Sequence, residues 1–87
     1  MTADELASAL AGTDVEATMK SLGFTPEFVA KNVMSIDGLV TVSEVAMLWM
    51  GMPNKHDRKR TRQLLDALTA AGLLTNPSED NYLRKPT

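Results

Sequence analysis

Pro53-Asn54-Lys55-His56-Asp57-Arg58-Lys59-Arg60-Thr61-Arg62-Gln63-Leu64-Leu65-Asp66-Ala67-Leu68-Thr69-Ala70-Ala71-Gly72 reads as one helix with two opposed faces. At about 100° per residue, Leu64, Leu65, Leu68 and Ala71 fall on one side with Thr61. Lys55, Arg58, Lys59 and Arg62 fall on the other. The first face needs a core; the second attracts anions.

The cations are badly placed for the helix itself. Asn54 has the chemistry of an N-cap, so the basic residues crowd the positive end of the macrodipole. Lys55 with Lys59, and Arg58 with Arg62, are like-charge pairs at i,i+4, each costing about 0.2–0.5 kcal/mol in an isolated helix. A bound polyanion would relieve that repulsion, although a cost this small can also persist on a surface without any purpose.

A chain of 87 residues is expected to form one domain with a modest core, since short chains bury a smaller share of their surface. Cysteine is absent, which excludes disulfides and thiolate metal sites and leaves no need for an oxidising compartment. The apolar run Val45-Ala46-Met47-Leu48-Trp49-Met50 is far too short for a bilayer span, and Asp4 and Glu5 stand where a basic leader would be. The expectation is a cytoplasmic protein without signal peptide or membrane anchor.

The net charge of -2 argues against a nonspecific nucleic-acid binder, but it hides an asymmetry. Residues 1–53 carry two lysines against seven carboxylates, a balance of -5; the remainder carries seven cations against four carboxylates, a balance of +3. An acidic front and a basic back suggest one directional binding surface.

Helix punctuation is plain along the rest of the chain. Capping-box pairs occur at Thr2/Glu5, Thr13/Glu16 and Thr41/Glu44, and glycines 12, 23, 51 and 72 sit where helices should stop. Thr25-Pro26-Glu27 adds a start with proline in the first turn. Helices are thus expected near 3–11, 14–22, 26–34, 42–50 and 55–71. The first two, carrying Leu6 and Leu10, then Val15, Met19 and Leu22, are too short to stand alone and must pack on the chain or a partner.

Phe28, Val29 and Val33 give the third helix a core face, Ser35-Ile36-Asp37-Gly38 reads as a turn, and Leu39-Val40-Thr41 is β-prone. In the fourth helix Val42, Val45, Ala46 and Trp49 share one side, while Met47, Leu48 and Met50 point elsewhere. Such a helix is wrapped on several sides or leaves an apolar patch for a partner. The methionines are expected to fill the core, the alternative being that Met47, Met50 and Met52 form a soft interaction surface beside Trp49. After Gly72, Leu73-Leu74-Thr75 and Tyr82-Leu83-Arg84 read as two strands joined by the turn formers Asn76-Pro77-Ser78-Glu79-Asp80-Asn81.

The order from residue 26 is helix, short strand, helix, Gly-containing turn, basic helix, strand, turn, strand. It resembles the winged helix-turn-helix superfamily, chiefly through Leu39-Val40-Thr41-Val42-Ser43-Glu44-Val45-Ala46 and Leu64-Leu65-Asp66-Ala67-Leu68-Thr69-Ala70-Ala71-Gly72-Leu73-Leu74. The resemblance implies a mainly α fold with a small β-hairpin: a winged helix-turn-helix domain over residues 25–87 and an N-terminal helical extension over residues 1–24. In winged-helix regulators such extensions often dimerise. The likeness further implies that the basic helix enters the major groove with its N-terminal half toward the bases. Arg58 and Arg62 would then contact guanine, Asn54 adenine, and Lys55, Lys59 and Arg60 phosphates, with Arg84 or Lys85 reaching the backbone from the wing. Glu79 and Asp80 depart from the family, replacing basic residues often found at the wing tip.

His56 is the lone histidine, and beside Asp57 it reads as a polar helix-start residue. With no Ser-His-Asp set, zinc-binding HExxH or phosphate-binding glycine loop, the chain is expected to be no enzyme and to need no cofactor or metal. Two functions follow. One is a sequence-specific regulator of transcription that binds double-stranded DNA as a homodimer. The alternative is a protein-interaction module on the same scaffold, of the phage-type inhibitor or assembly-subunit kind, docking an acidic partner through the basic helix and the Met47-Leu48-Met50 surface.

Overall fold

The computed structural model describes residues 1–84, and its elements follow the sequence punctuation closely. They are α1 (Ala3–Leu10), α2 (Asp14–Leu22), α3 (Pro26–Asn32), β1 (Leu39–Thr41), α4 (Val42–Met50), α5 (Lys55–Ala70), β2 (Leu74–Ser78) and β3 (Asn81–Arg84). The architecture is mainly helical with a small three-stranded antiparallel sheet in the order β1-β3-β2. No helix among the described residues is long and apolar enough to cross a membrane.

Each helix start is held by a side-chain oxygen that accepts a backbone N–H otherwise without a partner. Thr2, Thr13, Thr25 and Thr41 cap α1 to α4 in this way. At α4 the pairing differs from a full capping box: the Thr41 hydroxyl donates to the Glu44 carboxylate at 2.9 Å while accepting the Glu44 N–H at 3.1 Å. A reciprocal box not anticipated from the sequence opens α5, where Asn54 and Asp57 exchange backbone bonds of 2.9 and 3.1 Å. Helix α3 ends two residues early. The Val29 carbonyl accepts from both Val33 and Met34 N–H, which turns the chain before residue 34.

One hydrophobic core joins all the helices. Leu64, Leu65 and Leu68 of α5 are buried together with Val42 and Val45 of α4, Val29 of α3 and Val33 just after it. Leu6, Leu10 and Met19 belong to the same core, so the first two helices pack on their own chain, α1 against α3 and α2 against α5. The sheet closes the remaining side. Val40 and Tyr82 are cross-strand partners on its inner face, while Leu39 and Leu83 pair on the exposed outer face.

Two expectations need correction. The connection between the last strands is only the turn Glu79-Asp80, because β2 continues through Pro77 to Ser78. Proline is tolerated there since β2 is an edge strand, where its missing N–H leaves less unpaired; the register slips between Thr75 and Ser78. The methionines also divide: Met19 and Met34 are buried, whereas Met47, Met50 and Met52 are exposed. Helix α4 buries only the Val42, Val45 and Ala46 face and half-buries Trp49, because α5 and the sheet cover one side of it.

Two outcomes test this packing. Leu6→Ala should cost about 2–4 kcal/mol in chemical denaturation, as for a core leucine, and a change below 1 kcal/mol would place α1 outside the cooperative unit. Tyr82 sits in the core with its hydroxyl donating to Asp66. Burial, then the Asp66 hydrogen bond and charge, push the phenol up to about 12, against a small opposing pull from Arg62. An acid raised in the folded state contributes stability that is complete below the unfolded value near 10 and is lost as pH rises toward 12. Denaturation midpoints should therefore fall across that alkaline window, and Tyr82→Phe should flatten the fall.

Candidate nucleic-acid interface

The reciprocal Asn54/Asp57 cap fixes where α5 begins, and this sets the direction of the basic side chains that follow. Asp57 is buried as N3 of the helix, Thr61 lies one turn later in the core, and Lys55, Arg58 and Lys59 emerge on the opposite side. Together with His56, Arg62, Val42 and Ser43 from the start of α4, and Asp80 from the β2–β3 turn, they line an open depression of about 620 Å³. The cations of α5 outnumber the one carboxylate in the lining and give this depression a positive character suited to phosphate.

The eight residues singled out from the sequence do not share one environment. Lys55, Arg58 and Lys59 are exposed and have no carboxylate partner among the described residues; Arg58 only donates to its own Pro53 carbonyl at 3.1 Å. Asn54 uses its amide oxygen as the helix cap, leaving its amide nitrogen available. Arg62 reaches across to Asp80 in an ion pair whose side chains are 40% and 53% exposed. Desolvation lowers the Arg62 guanidinium, but the hydrogen bond and charge of Asp80, with Tyr82 and Glu79 behind it, outweigh that and leave it raised.

Arg60 and Arg84 point away from the depression. The Arg60 guanidinium donates to the Leu22 carbonyl at the end of α2 and lies 5.0 Å from the Trp49 ring centroid. Trp49 is fixed in turn by Phe24 at 4.6 Å between ring centroids and by its indole N–H donating to Thr61 at 3.0 Å. Arg84 donates to the Met34 carbonyl at 3.1 Å and to Asp37 at 2.9 Å, joining the third strand to the loop before the first. Lys85 lies outside the described residues.

Sequence reading missed Ser43, His56 and Asp80 as neighbours of the cations. Ser43 had no signal beyond following the Thr41 cap, and His56 was read only as a helix-start residue. Asp80 was noted as out of place at the wing tip, but nothing in the sequence gives its distance from Arg62. Gly23 also acquires a role, since a Cβ there would lie 3.1 Å from the Arg60 Nη2, and its backbone already sits at φ 89°.

Comparison of the chain with family models, with curated proteins and with solved structures finds no match.

The geometry separates exposed cations from those bonded into the fold, and stability measurements should do the same. Arg60→Ala is expected to cost about 1–3 kcal/mol, through a lost charged hydrogen bond and the contact with Trp49. Lys59→Ala should change stability by no more than a few tenths of a kcal/mol, in the stabilising direction as the repulsion with Lys55 is removed. Equal losses in the two variants would refute the division.

Proposed function

We propose that the chain is a winged-helix protein that binds duplex DNA, with α5 as the recognition helix and the β2–β3 turn as a short wing. The order α3-β1-α4-α5-β2-β3 and the packing of α4 on α5 across a four-residue connection support that reading. So does the sheet, whose central strand β3 returns beside β1. The observation that carries it is the trio Lys55, Arg58 and Lys59, exposed and without carboxylate partners among the described residues, on the N-terminal half of α5. That half is the part of a recognition helix that lies closest to base edges and flanking phosphates.

In this function Lys55 and Lys59 neutralise phosphates, and Arg58, with Arg62 beside it, is placed to read a guanine edge through two parallel donors. Asn54 offers its amide nitrogen to a base or phosphate without giving up its cap. Arg60 and Arg84 hold the fold in place of contacting DNA, which trims the binding set deduced from sequence. A regulatory role as a homodimer on a near-palindromic site is the form of this function that we favour.

A second reading rests on a separate observation. Met47 and Leu48 are each 58% exposed, Met50 is 44% and Met52 93% exposed, so the outer side of α4 and its exit carry exposed apolar side chains. An acidic protein partner with an apolar flank would fit both these and the cations.

Titration of the purified protein with random and genomic duplexes distinguishes the two. Three or four phosphate contacts per protomer give a log-log salt slope of about -3. The triple substitution of Lys55, Arg58 and Lys59 by alanine should weaken duplex binding by at least roughly a hundredfold at low salt. Absence of a duplex complex at low salt, or a salt-independent affinity, would overturn the DNA reading and leave the protein partner.

A further inference from the structure

One carboxylate stands among the cations of the depression, and its position is built rather than incidental. Asp80 occupies a left-handed backbone conformation, φ 67°, in the two-residue turn between β2 and β3. Its carbonyl accepts the Val42 N–H at 3.3 Å, which ties the turn to the start of α4. Asn81 braces the same turn from behind, donating to the Ser78 hydroxyl at 2.8 Å and to the Glu79 carbonyl at 3.3 Å. The Asp80 carboxylate is thereby held against Arg62, at the wall of a cavity whose other charged side chains are Lys55, Arg58 and Lys59, with His56 beside them.

We infer that Asp80 sets the selectivity of this depression at Arg62: it occupies the guanidinium in place of a phosphate, so a small phosphate is turned away from Arg62 while an extended polyanion, anchored on the other cations, reaches it. The inference rests on the DNA-binding reading for its natural ligand, though not for the exclusion of small anions. An isolated phosphate approaching Arg62 must displace Asp80 and be repelled by it, gaining one contact for one lost. A nucleic-acid strand engages Lys55, Arg58 and Lys59 at once, and those contacts draw the next phosphate onto Arg62. Exchange is open to it because both members of the ion pair are about half exposed, and exposed pairs are weak. The wing tip of this chain therefore acts as a filter on ligand size, where a basic wing tip would simply add affinity.

Asp80→Asn tests this. It removes the charge and keeps a side chain tolerated at positive φ, so the turn is retained. Two probes are used on the whole chain: inorganic pyrophosphate, followed through the side-chain N–H resonance of Arg62, and a random-sequence duplex titrated over a range of salt. In the wild-type protein pyrophosphate should leave the Arg62 resonance in place, and in Asp80→Asn it should shift it saturably. Duplex affinity at low salt should rise roughly two- to fivefold, the scale of an exposed pair, with the salt slope little changed because Arg62 meets a phosphate in both proteins. The gain should vanish in Arg62→Ala, where Asp80→Asn has no guanidinium to release.

A pyrophosphate response identical in wild type and Asp80→Asn overturns the inference. So does a gain that persists in Arg62→Ala, which would assign it to long-range charge alone. Duplex binding that depends on Lys55 and Lys59 but ignores Asp80→Asn sinks the inference and spares the DNA reading. A pyrophosphate gain without any duplex binding does the reverse.

Discussion

The contact on which the arrangement turns is the Trp49 indole N–H donating to the buried hydroxyl of Thr61 at 3.0 Å. That hydroxyl also donates to the Asp57 carbonyl at 2.8 Å, so both its donor and an acceptor lone pair are used inside the core. A buried hydroxyl with its bonds satisfied costs little, whereas the same group unpaired would cost about 1–3 kcal/mol. Trp49 must therefore sit over α5 at one position along its length. The crossing of α4 and α5 is fixed by that register, and with it the face of α5 that stays outside. Phe24 packs edge-on against the ring and Arg60 lies over it, carrying the constraint back to the end of α2 through the Leu22 carbonyl.

The N-terminal helices become intelligible in this light. Helices of eight and nine residues would not persist in water, and here they are held at their ends and middles. Leu6 and Leu10 insert beside α3, Met19 reaches the common core, and the α2 C-terminus is tied by Arg60 where Gly23 leaves room for the guanidinium. An arginine within a basic run, but turned away from the basic face, thus serves as a clamp for a segment far away in sequence.

Most of the fold was legible because its signals are local. Threonine caps, glycine stops and the periodic leucines of α5 each depend on a few neighbouring residues, and all five helices start where their caps place them. The sheet was half legible. Leu39-Val40-Thr41 and Tyr82-Leu83-Arg84 read as strands, but that β1 pairs with β3, bringing the hairpin turn beside the start of α4, depends on contacts forty or more residues apart. The exposed methionines failed for a related reason: a helix that is apolar nearly all round does not reveal which arc its neighbours will leave bare. The candidate site was legible only as a stripe. Helical spacing put Lys55, Arg58, Lys59 and Arg62 together, and no periodicity could separate Arg62, met by Asp80 from the turn, from the other three. Arg60 lies off that stripe, and its partners Trp49 and Leu22 come from other elements.

The energetic division within α5 explains how a basic N-terminal half is tolerated. Cations near the positive end of a helix each oppose the macrodipole by roughly 0.3–1 kcal/mol, and the i,i+4 repulsions add a few tenths. Against this stand the Asn54 cap, about 1 kcal/mol, and a carboxylate at Asp57 placed where the dipole favours it. Larger than either are Leu64, Leu65 and Leu68, each fully buried and contributing about 1.5–3 kcal/mol by transfer. The helix is held by its apolar second half and its cap, so the charges of the first half do not decide whether the helix forms. Charge placed only for folding would have gone to the other end of α5, where the last turn carries no basic residue. The cations gather instead in the first half of the helix, in one depression with Val42 and Ser43 of α4.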